Sequence, residues 1–153
     1  MKARQQSRLI AGTDQLPVVP QSAALCYRFQ HGRPEVLLIT TRRAKRWSVP
    51  KGWLIDGLSA SETAMQEAWE EAGVVGNCAP TRVGRFSVVK TCSVRGRVLC
   101  SVDVFPLHVT AVHGQFPEKG ERKRKWCAIE KAARKVASPE LAEVLRRFAP
   151  RVH

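Results

Sequence analysis

Three glutamates, Glu67, Glu70 and Glu71, stand at i, i+3 and i+4 in the chain. On a helix that spacing sets all three carboxylates on one face. Like charges on adjacent turns repel, so an unassisted helix is weakened there. A hard divalent cation, which takes several oxygen ligands, relieves the repulsion. The flanking residues suit that use: a Pro-Lys-Gly turn at 50–52 opens the block, and Gly73, fitted to a left-handed helix end, closes it. A loop, a carboxylate-faced helix and a glycine stop describe a site for Mg²⁺ (or Mn²⁺) and a diphosphate. Three glutamates alone could equally be a solvated helix face. The glycines and the Pro-Lys-Gly turn at fixed offsets weigh against that.

The helix carrying these carboxylates has clear ends. Ser59 and Glu62 form the S-x-x-E pattern of a capping box, which starts the helix at Ala60 and lets it run to Ala72. Met65, Trp69 and Ala72 lie opposite the carboxylates and are expected to pack. Ahead of it, the apolar runs 22–29 and 35–41 are split by His31-Gly32-Arg33-Pro34, a hairpin signal. A short extended piece at 47–49 stops at Pro50. Beyond the helix come strands at 82–90 and 98–109, a loop at 114–120 and a short strand at 126–128. Helices follow at 129–136 and 139–148, the second with Ser138 as N-cap and Pro139 in its first position. Residues 1 to about 20 read as a loose arm and 21–153 as one domain. This order predicts an α/β (α+β) fold in which a mixed β-sheet lies between helices.

Composition narrows the function classes. At 153 residues, 44% of them hydrophobic, the chain has enough apolar surface for a single core and is no disordered segment. No apolar run reaches membrane-spanning length, and the basic N-terminus lacks the apolar stretch of a secretory signal. Five cysteines without metal or disulfide spacing indicate reduced thiols and a cytoplasmic location. The formal charge is +13. Its basic residues cluster at 42–51, at 82–97 and at 122–125, a field that attracts polyanions. Each cluster could also be a solvated surface.

The stretch from Gly52 to Val74 resembles the Nudix box, G-x5-E-x7-R-E-U-x-E-E-x-G-U, through Gly52, Glu67, Ala68, Glu70, Glu71, Gly73 and Val74. Leu58 replaces its first Glu and Gln66 its Arg. The resemblance implies a Nudix-type α/β/α sandwich. It also implies a hydrolase whose metal is held by Glu67, Glu70 and Glu71 with the main-chain carbonyl of Gly52, one glutamate serving as general base. Gln66 can still hydrogen-bond a neighbouring carboxylate, without charge. Glu62 has two readings, as the capping residue or as a substitute for the missing box Glu.

A narrower resemblance runs through SAALCYRF, EVLLITTRRAKRWSVPKG and RKRKWCAIEKAA, which look like the diphosphoinositol polyphosphate phosphohydrolase branch. That branch also cleaves diadenosine polyphosphates. It implies Thr40 and Arg42 as phosphate-binding residues, with Lys51, Arg95 and Arg97 as further basic candidates. A loop glutamate after the box, Glu121 or Glu118, is a candidate extra ligand or base. Trp126 is expected in the core, and Trp47 and Trp53 either pack or line the pocket mouth.

The leading expectation is a divalent-metal-dependent hydrolase of a diphosphate linkage in a highly anionic small molecule, such as an inositol pyrophosphate or dinucleoside polyphosphate. A nucleoside-diphosphate-sugar or nucleotide pyrophosphatase is the alternative among enzymes. A non-catalytic binder of RNA or another polyanion is the alternative from a different class; nucleic acid is the less favoured partner, because three carboxylates in the cleft repel it.

Overall fold

The computed structural model describes residues 15–150. Eight strands and three helices follow in order: β1 (Val18–Gln30), β2 (Arg33–Thr40), β3 (Trp47–Ser48), β4 (Lys51–Trp53), α1 (Ala60–Ala72), β5 (Val74–Cys78), β6 (Gly84–Cys92), β7 (Gly96–Val112), β8 (Arg124–Ala128), α2 (Ile129–Lys135) and α3 (Pro139–Arg147). Much of the expected arm, residues 1–14, lies outside the described residues. Val18–Pro20, expected within it, instead begin β1, where they pair with Leu99–Ser101.

The β1–β2 hairpin closes through His31 and Gly32, both at positive φ (52° and 76°), with Gln30 opposite Arg33. Two left-handed residues give the two-residue turn whose twist matches the strands it joins. β1 then pairs in parallel with β7, from Val18↔Leu99 to Tyr27↔His108. The other strand pairs are antiparallel, so the sheet is mixed, with β3-β2-β1-β7-β5 as its main path. β4 pairs with β1, β6 with β7 and β8 with β2.

Period-two alternation sends each strand's side chains to opposite faces. Ala23, Leu25, Val36, Leu38, Val102 and Val104 face α2 and α3, meeting Ala132, Leu141 and Leu145. Ala24, Cys26, Leu37, Ile39, Phe105 and Leu107 face α1, meeting Ala64, Ala68 and Ala72. Two cores, one on each side of a mixed sheet, make the expected sandwich. No helix of the described residues is long and apolar enough to cross a membrane. All five cysteines are free, with Cys26, Cys100 and Cys127 buried.

α1 buries Ala72 and packs Met65 as expected, but small residues dominate its buried face. Ala64, Ala68 and Ala72, with Thr63 and Glu71, are its buried residues, while Met65 and Trp69 are only partly covered. Small alanines let the helix approach β1 closely, and that approach carries the neighbouring Glu71 inward. The 50–52 segment differs too. Lys51–Trp53 form a strand, Gly52 opposite Ser22, and not only a turn.

Candidate active site

α1 starts as its sequence indicates. Ser59 caps it, its Oγ accepting from the Glu62 amide at 3.1 Å, while Glu62 Oε1 accepts from the Ser59 amide at 2.8 Å. Those bonds hold the Glu62 carboxyl below its ordinary range and assign it to the cap. The far end stops at Gly73, left-handed at φ 69°, whose missing side chain makes room for the Phe116 ring. Arg124 stacks over that ring at 4.8 Å and donates to the Ala72 carbonyl at 2.6 Å, satisfying one of the helix's last acceptors.

Between these ends Glu67 and Glu71 converge. Glu71 is 7% exposed, accepts the Lys51 main-chain N–H at 3.4 Å and shares a hydrogen bond with the Glu67 carboxyl. Burial first, then that shared bond, pushes Glu71 up to about 8, with Arg122 pulling the other way. Glu67 is also raised by burial, but the bond from Glu71 holds it down. One proton therefore sits between the two carboxyls, on Glu71. Glu70, expected beside them, is turned to Gln66, whose Nε2 donates to Glu70 Oε2 at 2.6 Å. Two of the three carboxylates meet, and among the described residues no group of three acidic, histidine or cysteine side chains gathers closely enough to hold a metal.

The pair nevertheless suits a hard cation. Both partners are oxygen donors whose repulsion is relieved only by a shared proton. Gly52 packs directly on the Glu67 carboxylate, where any Cβ would collide with it. The glycine thus keeps its main chain against the carboxylate.

A cation that the sequence marks only as part of a basic run completes the arrangement. Arg122 is 12% exposed and reaches three partners: Glu118 Oε1 at 3.3 Å, Glu71 Oε1 at 3.8 Å and the Thr40 carbonyl at 3.2 Å. The Glu118 amide donates to the Glu70 carbonyl at 3.0 Å, which docks this loop on α1. Both glutamates of the pair feel Glu118, and for neither is Glu121 among the causes of the shift. Glu121 is 45% exposed and pairs with Arg42 at 3.4 Å. Of the two loop acids, Glu118 is thus the one that faces the pair. The basic run around Arg122 gave a signal for charge, but nothing in it marked which residue would turn inward.

The expected substrate-binding residues fall in different places. Arg42 is 57% exposed beside the site and also bonds Glu118 at 3.1 Å. Thr40 is buried, its Oγ1 accepting from the Lys123 amide at 2.9 Å, so its hydroxyl anchors the loop. Lys51 and Trp53 project to the face of β4 away from Glu67, where Arg95 lies 5.7 Å from the Trp53 ring centre. Arg97 stands opposite Thr91, on the other face of its hairpin from Lys90. Trp126 is partly buried under Arg28, 4.1 Å from its ring centre, and Trp47 packs against the core beneath α2 and α3. Leu58, in the place of the box Glu, is 40% exposed; with Met65, Trp69, Val75 and His113 it lines an open groove of about 520 Å³. None of Glu67, Glu71, Glu118 and Arg122 lines that groove, so the chemistry lies elsewhere.

The NUDIX domain family matches residues 19–148. Nudix hydrolase 21, chloroplastic, of Arabidopsis thaliana is 33% identical over 130 residues, covering 82% of this chain and 63% of that protein. Nudix hydrolase 4 of the same plant is 28% identical over 114 residues, covering 74% and 53%. The chain thus spans between half and two thirds of the length of these relatives. Among solved structures, the C. elegans Ap4A hydrolase superposes with a TM-score of 0.61 at 22% identity, covering 86% of this chain and 96% of that one. The MutT protein from Methanosarcina mazei Go1 gives 0.64 at 20% identity, covering 88% and 94%. At these identities the structural likeness speaks for the fold.

Proposed function

Because the chain belongs to the NUDIX domain family, we propose that it hydrolyses a diphosphate linkage in a highly anionic small molecule, of the inositol pyrophosphate or dinucleoside polyphosphate class, with Mg²⁺ or Mn²⁺. One observation carries this reading: the buried Glu67–Glu71 pair packed on Gly52, with the exposed Arg42 tied to the same loop acid. The fold shared with an Ap4A hydrolase agrees with the dinucleoside class.

Glu67 and Glu71, with the Gly52 carbonyl, would hold the metal, and Glu70 would join them by leaving Gln66. A divalent cation held by these residues would supply neutralisation of phosphoryl charge and would lower the pKa of a water so that it more readily yields hydroxide. The remaining work falls to the chain. Glu71 would release its proton to solvent on binding the cation. Arg122 fixes Glu71 and Glu118 relative to one another. Glu118, the loop acid facing the pair, would take the proton of the attacking water. Arg42 would clamp a substrate phosphate in exchange for its pairs with Glu118 and Glu121.

Phosphate release should be measured across inositol pyrophosphates, diadenosine polyphosphates, nucleotide sugars and nucleoside triphosphates, with and without Mg²⁺. Turnover confined to the first two classes and requiring the metal is expected. Glu67→Gln should lower it by about 10²-fold or more with the fold intact. Near-normal turnover by that variant at saturating Mg²⁺ removes Glu67 from the role.

A further inference from the structure

Ser22 of β1 lies beneath the carboxylate helix with nothing to bond. It is fully buried, and its hydroxyl has no hydrogen-bond partner among the described residues. A buried hydroxyl left unpaired is costly. The next residues of the strand, Ala23 and Ala24, are fully buried too, so an alanine at 22 would suit the same packing without that cost. The fold nevertheless keeps an oxygen there.

The direction of the hydroxyl follows from the strand. Ala24 and Cys26, further along β1 at alternate positions, face α1, so Ser22 faces α1 as well. Across the sheet it is flanked by Asp103 of β7 and Gly52 of β4. Residues directly opposite share a face, with side chains about 5 Å apart. Asp103 is turned to Arg82 at 3.1 Å and to Arg85 at 2.7 Å. On the other side Gly52 has no side chain, and the Glu67 carboxylate fills the space where one would stand. The Ser22 hydroxyl therefore looks across one side-chain position at Glu67. In the structure Glu67 shares its hydrogen bond with Glu71 instead.

We propose that Ser22 is a positioning residue for the metal site: its Oγ donates to the Glu67 carboxylate and seats that group to hold a cation beside the Gly52 main chain. This rests on the metal-dependent reading of the site given above. Carboxylates that ligate a metal are oriented by hydrogen bonds from groups behind them, and losing one such partner weakens the metal's binding. Gly52 serves the arrangement through its missing side chain, which would otherwise stand between hydroxyl and carboxylate. Ser22 lies on the sheet behind Glu67, and it reaches the reaction only through that residue.

Mn²⁺ binding by the full chain, read from the electron paramagnetic resonance of the free ion, tests this alongside thermal melting without metal. Ser22→Ala should bind Mn²⁺ about tenfold more weakly. Without metal it should melt no lower than the unaltered chain, because only an unpaired hydroxyl is gone. Ser87→Ala removes the other buried hydroxyl that lacks a partner among the described residues, on β6 beside α3. It should melt likewise and bind Mn²⁺ as the unaltered chain does. Retained Mn²⁺ affinity in Ser22→Ala overturns the assignment, as does an equal loss in Ser87→Ala. A clear fall in the melting temperature of Ser22→Ala without metal overturns it too, since the hydroxyl would then already serve the fold. Glu67→Gln separates this inference from the reading it rests on. If that variant also binds Mn²⁺ normally, the metal is held elsewhere and both fail. If it binds weakly while Ser22→Ala binds normally, the metal site stands and Ser22 has no part in it.

Discussion

A carboxyl buried against a second carboxyl stays protonated until some positive charge compensates it. Glu71 is in that position, and its value near 8 against an ordinary 4.5 makes metal-free stability depend on pH. The native state holds this proton where the unfolded chain has released it. The stability it contributes is therefore complete below about pH 4.5 and is lost as pH rises toward about 8, amounting to a few kcal/mol. Mg²⁺ should restore the loss by taking the proton's place. Thermal midpoints measured from pH 5 to 9 should slope downward without metal and flatten with it, and Glu71→Gln should abolish the slope. A flat metal-free profile in the unaltered chain argues against a shared proton. At this scale the sequence revealed the three glutamates by spacing alone. It could not show that Glu67 and Glu71 meet while Glu70 turns to Gln66, because rotamers and burial decide that. Arg122 was less legible still, and Glu118 could not be chosen over Glu121, since a loop about fifty residues further on in the sequence carries them to α1.

At the scale of elements, the helix that carries the site is held by its ends. Gly73 does two things there: it takes a left-handed conformation, and it leaves space for Phe116, on which Arg124 rests. Gly73→Ala strains the backbone and meets the ring, so it should cost about 2 kcal/mol or more. Chemical denaturation measures this, and a loss below about 0.5 kcal/mol would mean that the ring yields freely. The bounds of α1 were legible because caps are local chemistry: Ser59, Glu62 and Gly73 specify them within a few residues. β4 and β5 were not. Lys51–Trp53 is three residues long with a glycine at its centre, and Val74–Cys78 is five residues long with Gly76 at its centre, one residue beyond the helix. Both exist through pairing with strands remote in sequence, which local pattern does not record. Of the alanine face of α1 only Ala72 was expected, for a related reason. Met65 and Trp69 are the larger apolar residues, but a helix that must lie close to β1 buries its small ones.

Over the whole molecule, a formal charge of +13 draws anions toward the site from a distance. Arg42 is where that field meets the substrate, on the reading proposed above. Its pairs with Glu118 and Glu121 are exposed, so they are weak and exchangeable. Arg42→Ala should raise KM about tenfold, most for the most anionic substrate. Salt should shrink the difference as screening takes over. Equal KM values for the two proteins on every polyphosphate would place Arg42 outside the site. The sheet at the centre of the molecule has a consequence of another kind. β1 lies between β2 and β7, and its parallel pairing with β7 joins residues about eighty positions apart. The β1–β2 and β6–β7 hairpins can each form from their own residues, but the seam between them closes only after the long intervening chain has been ordered. Assembly should therefore be slow relative to a protein of local contacts. Until the seam closes, each hairpin carries an open edge, and at high concentration the edge of a neighbouring chain competes for it.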